Sequence, residues 1–542
     1  MRRSALSAAL LMAFFACTPP EPVDLLLYNG KIVTVDDAFS IREAVAVRDG
    51  IIVEVGGADL VAKYAATQSI DLAGKTVLPG FNDAHLHISG SPTREIDLRE
   101  TTSIEELQAQ LRAKVAELGE GEWVTGYGWS EDAFAEQRKP TRADLDAAAP
   151  RSPVTLTRAG GHSAVVNSLA FALAGITRAT PDPEGGILEK DANGELNGVI
   201  RERQAIVGRL VPRATNEETR PGFVQNLRDL LPLGITSLVQ AGVSTEGYAE
   251  WEVVYAEHGA ELPRASVQIR WGGLEAMNAF GKKTGDGDER LRVGAVKVFV
   301  DGGFTGPSAY TIDEYRSQPG FHGSLALPEE ELRTTIREAH ALGWQMGFHT
   351  IGDAAIKLAV DDFAEVLAAS PRENHRHYLN HFTVRPPPEV MDVMAENHIL
   401  ITQQPNFTYT LEGRYVEYLA EEHAAHNNPL RSPMDHGVFV ALSSDILPLG
   451  PLVGIYAAVT RKGASGAVYA ADERLTMEEA IRGYTHNGAY ITFEEDLKGT
   501  LEPGMWADMI VLSDDLLTID PERILDVQVL TTIVGGRVVF QR

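Results

Sequence analysis

Apolar residues recur along this chain in two rhythms, one at each end and another through the middle. Between Val23 and Val77 they come in short runs broken by turn pairs. Asp24–Tyr28 leads through Asn29-Gly30 into Lys31–Val35, and Ala44–Val47 and Ile51–Val55 flank Asp49-Gly50. Each pair of runs predicts a β-hairpin. The C-terminal end repeats the style. Asp508–Leu512 and Val527–Val534 read as strands, and Gly535-Gly536 turns the chain into Arg537–Phe540. Neither end is long enough to make a stable β domain alone. One small composite β-sandwich is therefore expected from residues 23–77 plus 495–542.

The middle, residues 78–494, alternates apolar β-rich runs with helical stretches. Ile235–Val239, Ala295–Val300, Trp344–His349, Ile399–Thr402 and Val438–Leu442 read as strands. Glu329–Leu342, with Pro328 at its start, and Ala354–Ala369 read as helices. Such alternation predicts an α/β fold with a parallel sheet. No Gly-x-Gly-x-x-Gly follows the first strand, so a (β/α)8 TIM barrel is favoured over a doubly wound sheet. Residues around 104–213 break the rhythm with Pro140, Pro150, Pro153, Pro181 and Pro183 and the turn-rich Asp191–Gly194. They read as an insertion, expected over the barrel mouth.

A length of 542 residues suits one large catalytic domain with a smaller companion. A net charge of −28 argues against nucleic acid as a partner and against a broad attraction to anionic lipid. Cys17 is the only cysteine. No internal disulfide or thiolate cluster can form, so any metal must use His, carboxylates or a modified Lys. Arg2-Arg3 followed by the apolar run Ala5–Ala16 has the form of a signal peptide, residues 1–17. Phe14-Phe15-Ala16-Cys17 resembles a bacterial lipobox, with Phe14 in place of the usual aliphatic residue, and residues 18–22 follow as a proline-stiffened tether. The expectation is an exported protein, periplasmic or anchored to a bacterial envelope as a lipoprotein, with a plain cleaved signal peptide as the alternative.

Four strand ends carry groups able to bind a metal. In Pro79–His87, His85 and His87 lie two apart, so on a strand they share a face, and Asp83 has the same parity. Asp83 is expected to fix an imidazole tautomer. An apolar strand ends at His349. Arg376–His381 offers His377 and His381, of which His381 is nearer the C-terminal end, where barrel active sites sit. A fourth strand ends in Ser443-Ser444-Asp445. Any one of these is as readily a hydrogen-bonded loop residue or a helix cap. Together they point to a cation held at a barrel mouth. Lys297 lies inside the apolar run Ala295–Val300, where a bare ammonium is costly. It reads either as a carbamylated metal ligand or as a snorkelling Lys paired with a carboxylate such as Asp301.

These motifs resemble the amidohydrolase superfamily, and within it the YtcJ-like branch that includes N-substituted formamide deformylases. The resemblance is carried by Leu78–His87, Gly160–Ser168, Lys297–Gly303, His349–Ala354, His377–His381, Ser444-Asp445 and Gly499–Gly504 with Ala507-Asp508. It implies a (β/α)8 barrel with a composite β-sandwich. His85 and His87 are implied on strand one, Lys297 on strand four, His349 on five, His381 on six and Asp445 on eight, around one or two divalent ions, zinc by preference. It also implies that Asp445 shuttles protons for a metal-activated water attacking an amide-like C–N bond of a small molecule. His162 is expected either to contact the substrate carbonyl or to stabilise its own loop. The branch often has Glu where this chain has Asn380, and Ile446-Leu447-Pro448 is looser than the usual Asp-x-Pro. A deaminase or cyclic amidohydrolase with the same centre is the alternative, with a non-catalytic exported binding protein further behind. A homodimer is left open.

Overall fold

The computed structural model describes residues 19–542 apart from 160, 305–307, 413–417, 422, 424–425 and 447. The expected signal peptide and Cys17 therefore lie outside the described residues. The chain forms two compact units, one of residues up to 88 together with 227–542, the other of residues 89–226.

The larger unit is built on eight parallel strands: β1 (Phe81–Leu86), β2 (Ile235–Val243), β3 (Arg264–Arg270), β4 (Leu291–Phe299), β5 (Met346–Thr350), β6 (Tyr378–His381), β7 (Leu400–Gln403) and β8 (Val440–Leu442). They pair in sequence order. The ring closes where Leu86 bridges Asp445 in parallel and the Asp445 amide donates to the His85 carbonyl at 2.9 Å. This is the expected TIM barrel. Strands β1 and β6–β8 are buried along their whole length, so the polar residues they carry, among them Asp83, His85, Asn380 and His381, are enclosed with the apolar ones. The helices Glu329–Ala341 and Asp353–Ala369 stand where the helical periodicity put them.

Both chain ends meet in one sheet. Met509–Leu512 pairs antiparallel with Thr76–Pro79, extending a sheet that runs from Arg537–Gln541 to Ile41–Arg42. A second sheet holds Glu21–Tyr28, Ala44–Arg48, Ile51–Gly56 and Tyr64–Asp71. Leu27, Val45, Val47, Val77, Met509, Val511 and Ile533 pack between the two. The turns at Asp49-Gly50 and Gly535-Gly536 are hairpins, with positive φ at both residues of each.

Asn29-Gly30 is not a hairpin. Glu21–Tyr28 pairs with Ala44–Arg48 and Tyr64–Asp71, whereas Lys31–Val33 pairs with Ile41–Arg42 and Thr76–Pro79 in the other sheet. The turn hands the chain from one layer to the next. Asn29 (φ +58°) donates its side-chain amide to Asp71, and a Cβ at position 30 would sit 2.4 Å from Leu72 Cδ1. Glycine is needed there for close approach, not for strand reversal.

The smaller unit carries a six-stranded sheet, ordered Ile187–Lys190, Leu196–Arg201, Ser163–Val166, Val154–Arg158, Val124–Trp129, Glu95–Asp97. The helices Ile104–Leu118 and Arg142–Ala148 cover Trp129, Phe134 and Leu156. Among the described residues no helix is long and apolar enough to cross a membrane.

Barrel and sandwich are tied by a buried ion pair. Arg264, the first residue of β3, donates to Asp508 at 2.8 Å, stacks on Trp506 at 3.9 Å, and gives a third bond to the Glu289 carbonyl. Both side chains are under 5% exposed. Removing one partner strands the other charge in a dry interface. Asp508→Ala is expected to lower stability by about 3–5 kcal/mol, read as a shift in the urea-unfolding midpoint.

Candidate metal centre

The C-terminal strand ends bring four imidazoles and two charged groups together. His85 is the penultimate residue of β1 and His87 lies just past its end, ring centroids 5.3 Å apart. His381, the last residue of β6, lies 4.8 Å from His85 and 4.4 Å from His349 of β5, centroid to centroid. Asp445, just past β8, places Oδ1 3.8 Å from His87 Nε2 and Oδ2 3.9 Å from His381 Nδ1. Ligand atoms of His85, His87 and Asp445 all fall within 4.8 Å of one another. Lys297 of β4 is buried beside them. His381 (φ +78°) and Asp445 (φ +57°) both sit in the left-handed region. For His381 that conformation costs on the order of 1–3 kcal/mol, strain held where a side chain must be aimed.

His85 Nε2, His349 Nε2, His381 Nε2, Lys297 Nζ and Asp445 Oδ1 are buried, and none has a hydrogen-bond partner among the described residues. Each such atom costs about 1–3 kcal/mol when left unsatisfied. Five within one cluster have a common explanation. Imidazole nitrogens and a carboxylate oxygen are a donor set suited to a zinc-class cation, and the residues fit one.

Burial keeps the imidazoles neutral. His87 is pushed down to about 4 and His349 to about 3, with Lys297 adding repulsion; His85 and His381 are also driven well below the usual range. Their lone pairs are thus free at neutral pH. Burial likewise lowers the Lys297 ammonium and raises the Asp445 carboxyl, each partly offset by the other's charge. Asp301 does not pair with Lys297. Its carboxylate takes the backbone amides of Tyr310, Ile351 and Gly352 at 2.8–3.0 Å.

Asp83 has a different task from the one its parity suggested. It bonds no imidazole. Oδ1 accepts the amides of Ser444 at 3.0 Å and His85 at 3.3 Å, clamping β1 to the end of β8. Burial pushes its carboxyl up to about 7. The imidazole partners are carboxamides, of which the sequence singled out Asn380 only as a departure from the usual Glu and did not single out Gln404. Asn380 Oδ1 faces His85 Nδ1 at 2.7 Å, and Gln404 Oε1 faces His381 Nδ1 at 2.7 Å. A strand ending in Gln403-Gln404, where neighbouring strands end in His or Asp, was the available signal. His377 is turned into a separate hydrogen-bonded group with His340 and the Met346 amide. His162 belongs to the smaller unit, where it is exposed and lies 3.1 Å from Glu202.

The amidohydrolase family model matches residues 68–540. The chain belongs to the amidohydrolase family. It is 30% identical over 531 residues to YtcJ of Bacillus subtilis (strain 168), an amidohydrolase by name, covering 95% of this chain and 99% of that one. It is 29% identical over 547 residues to an N-substituted formamide deformylase of Arthrobacter pascens, covering 96% and 98%. An uncharacterized metal-dependent hydrolase from Pyrococcus horikoshii OT3 superposes with a TM-score of 0.70 at 25% identity, over 92% of this chain and 99% of that one. As an amidohydrolase of this kind, the protein is a metal-dependent hydrolase of carbon–nitrogen bonds other than peptide bonds.

Replacing the Asp83 carboxylate by a methyl group leaves two buried amides without an acceptor. Asp83→Ala is expected to cost about 1–3 kcal/mol in chemical denaturation, and Asp83→Asn, which keeps an acceptor oxygen, markedly less.

Proposed function

We propose that the protein hydrolyses a small N-substituted formamide or a closely related acyclic amide at a zinc centre held by His85, His87, His349, His381 and Asp445. The observation that carries this reading is the convergence of partnerless buried donor atoms on one cluster. Bound zinc supplies Lewis acidity at a carbonyl oxygen and brings the pKa of water to about 7. The remaining chemistry belongs to the chain. Asp445, its carboxyl raised by burial, takes a proton from the attacking water and returns it to the leaving nitrogen. Lys297, its amine readily neutral, adds to carbon dioxide through Nζ with loss of a proton, and the carbamate oxygen joins the ligand set.

The choice of substrate rests on the cavity and on one relative. A cavity of about 340 Å³ opens on His87, His349, His381 and Asp445, and its walls include Phe299, Phe304, Ile351 and Phe407. Polar groups at one end and aromatic rings around the rest suit a formyl group carrying an apolar substituent. The Arthrobacter pascens relative is named for deformylating N-substituted formamides.

Asp445→Asn is expected to lower kcat/KM by about 10²–10⁴-fold with the fold intact by circular dichroism. His85→Ala is expected to lose bound zinc by elemental analysis. Full activity in either variant, or in chelator-stripped protein, contradicts the mechanism. A panel of formamides, acylated amines, cyclic ureides and aminopurines tests the substrate class, and turnover confined to the last two overturns it.

We also propose export with lipidation at Cys17, supported by Arg2-Arg3, the apolar run and the Cys itself. Mass spectrometry of the mature N-terminus is expected to find a diacylglyceryl-modified Cys17, and cleavage elsewhere removes the anchor.

A further inference from the structure

The three buried imidazoles of the centre are not held alike. His349 bonds the main-chain oxygen of Gly302, and a carbonyl can only accept. His381 Nδ1 faces Gln404 Oε1, and that carboxamide cannot turn over. Its Nε2 donates to the Thr402 main-chain oxygen at 3.2 Å and to Ser443 Oγ at 2.8 Å. Both rings therefore carry their proton on Nδ1 and keep the Nε2 lone pair free, with or without a metal.

His85 lacks that certainty. Its Nδ1 faces Asn380 Oδ1, whose other partner is the Thr402 hydroxyl at 2.8 Å. A hydroxyl donates or accepts equally well. Asn380 Nδ2 is buried and has no partner among the described residues. If the carboxamide turns over, Nδ2 donates to both Thr402 Oγ1 and His85 Nδ1, and the imidazole proton moves to Nε2. That closes the lone pair a metal needs. Either state keeps the bonds to His85 and Thr402 and leaves one carboxamide atom, Nδ2 or Oδ1, without a partner among the described residues.

We propose that Asn380 is a positioning residue whose carboxamide orientation sets the His85 tautomer, so that His349 and His381 are permanently ready ligands and His85 is the adjustable one. The inference rests on the metal-binding reading of the centre. A carboxylate at position 380 accepts only, so it fixes the Nδ1–H tautomer. An apolar side chain of the same shape fixes nothing.

The test is the zinc affinity of the full chain, measured by chelator competition. Asn380→Leu is expected to bind zinc about 10–100-fold more weakly, and Asn380→Asp no more weakly than wild type. Asn380→Ala removes the carboxamide without adding bulk, is expected to weaken zinc in the same direction, and serves should Asn380→Leu fail to fold. Asn380→Leu or Asn380→Ala indistinguishable from wild type, or Asn380→Asp as weak as Asn380→Leu, each overturns the proposal. Wild-type protein that takes up no zinc overturns the reading of the centre itself.

Discussion

The seam between the first and last barrel strands is the contact on which the site depends. Strands β1 and β8 share no long ladder. They are joined by the Leu86–Asp445 bridge, the Asp445 amide on the His85 carbonyl, and the Asp83 carboxylate on the Ser444 amide. The residues that close the ring are thus members of the imidazole–carboxylate cluster, or their immediate neighbours. An error in register at this seam would displace His85 and Asp445 together, because the Asp445 amide donates to the His85 carbonyl. Ring closure and the geometry of the cluster share one set of tolerances, and the buried Asp83 carboxylate bonds both sides of the seam.

Much of the centre could be read along the chain because its logic is local. A strand points alternate side chains to one face, and barrel sites lie at strand C-termini. His85, His87, His349, His381 and Asp445 could each be picked out by those two rules, and the cost of an ammonium inside an apolar run singled out Lys297. What escaped was everything that depends on which strands become neighbours. Asp83 has the parity of an imidazole partner, yet its amide partner at Ser444 lies 361 positions away. Asn380 has the opposite parity to His381, and its part in holding His85 becomes visible only once β1 and β6 face across the barrel. Asn29-Gly30 failed for the same reason. A turn signal fixes local geometry, whereas the sheet a strand joins is decided by remote partners at residues 64–71 and 76–79.

The groups that hold the buried imidazoles are neutral. His85 and His381 lean on carboxamides and His349 on a main-chain carbonyl. Among the described residues, none of these three imidazoles is paired through its Nδ1 with a carboxylate acceptor as its closest partner. Fewer anionic neighbours leave a bound cation less neutralised and a stronger Lewis acid. Aromatic side chains around the cavity keep that field from being diluted by water.

The sheet shared by the two ends of the chain governs when this protein can fold. Thr76–Pro79 has no neighbour on one side until Met509–Leu512 has been synthesised, and β1 waits for β8. Until then the edge of a strand made near the start of the chain stands bare and open to mispairing. A truncation that removes residues 509–542 therefore takes the neighbour from one of the earliest strands, whereas the contiguous unit of residues 89–226 keeps every strand of its own sheet.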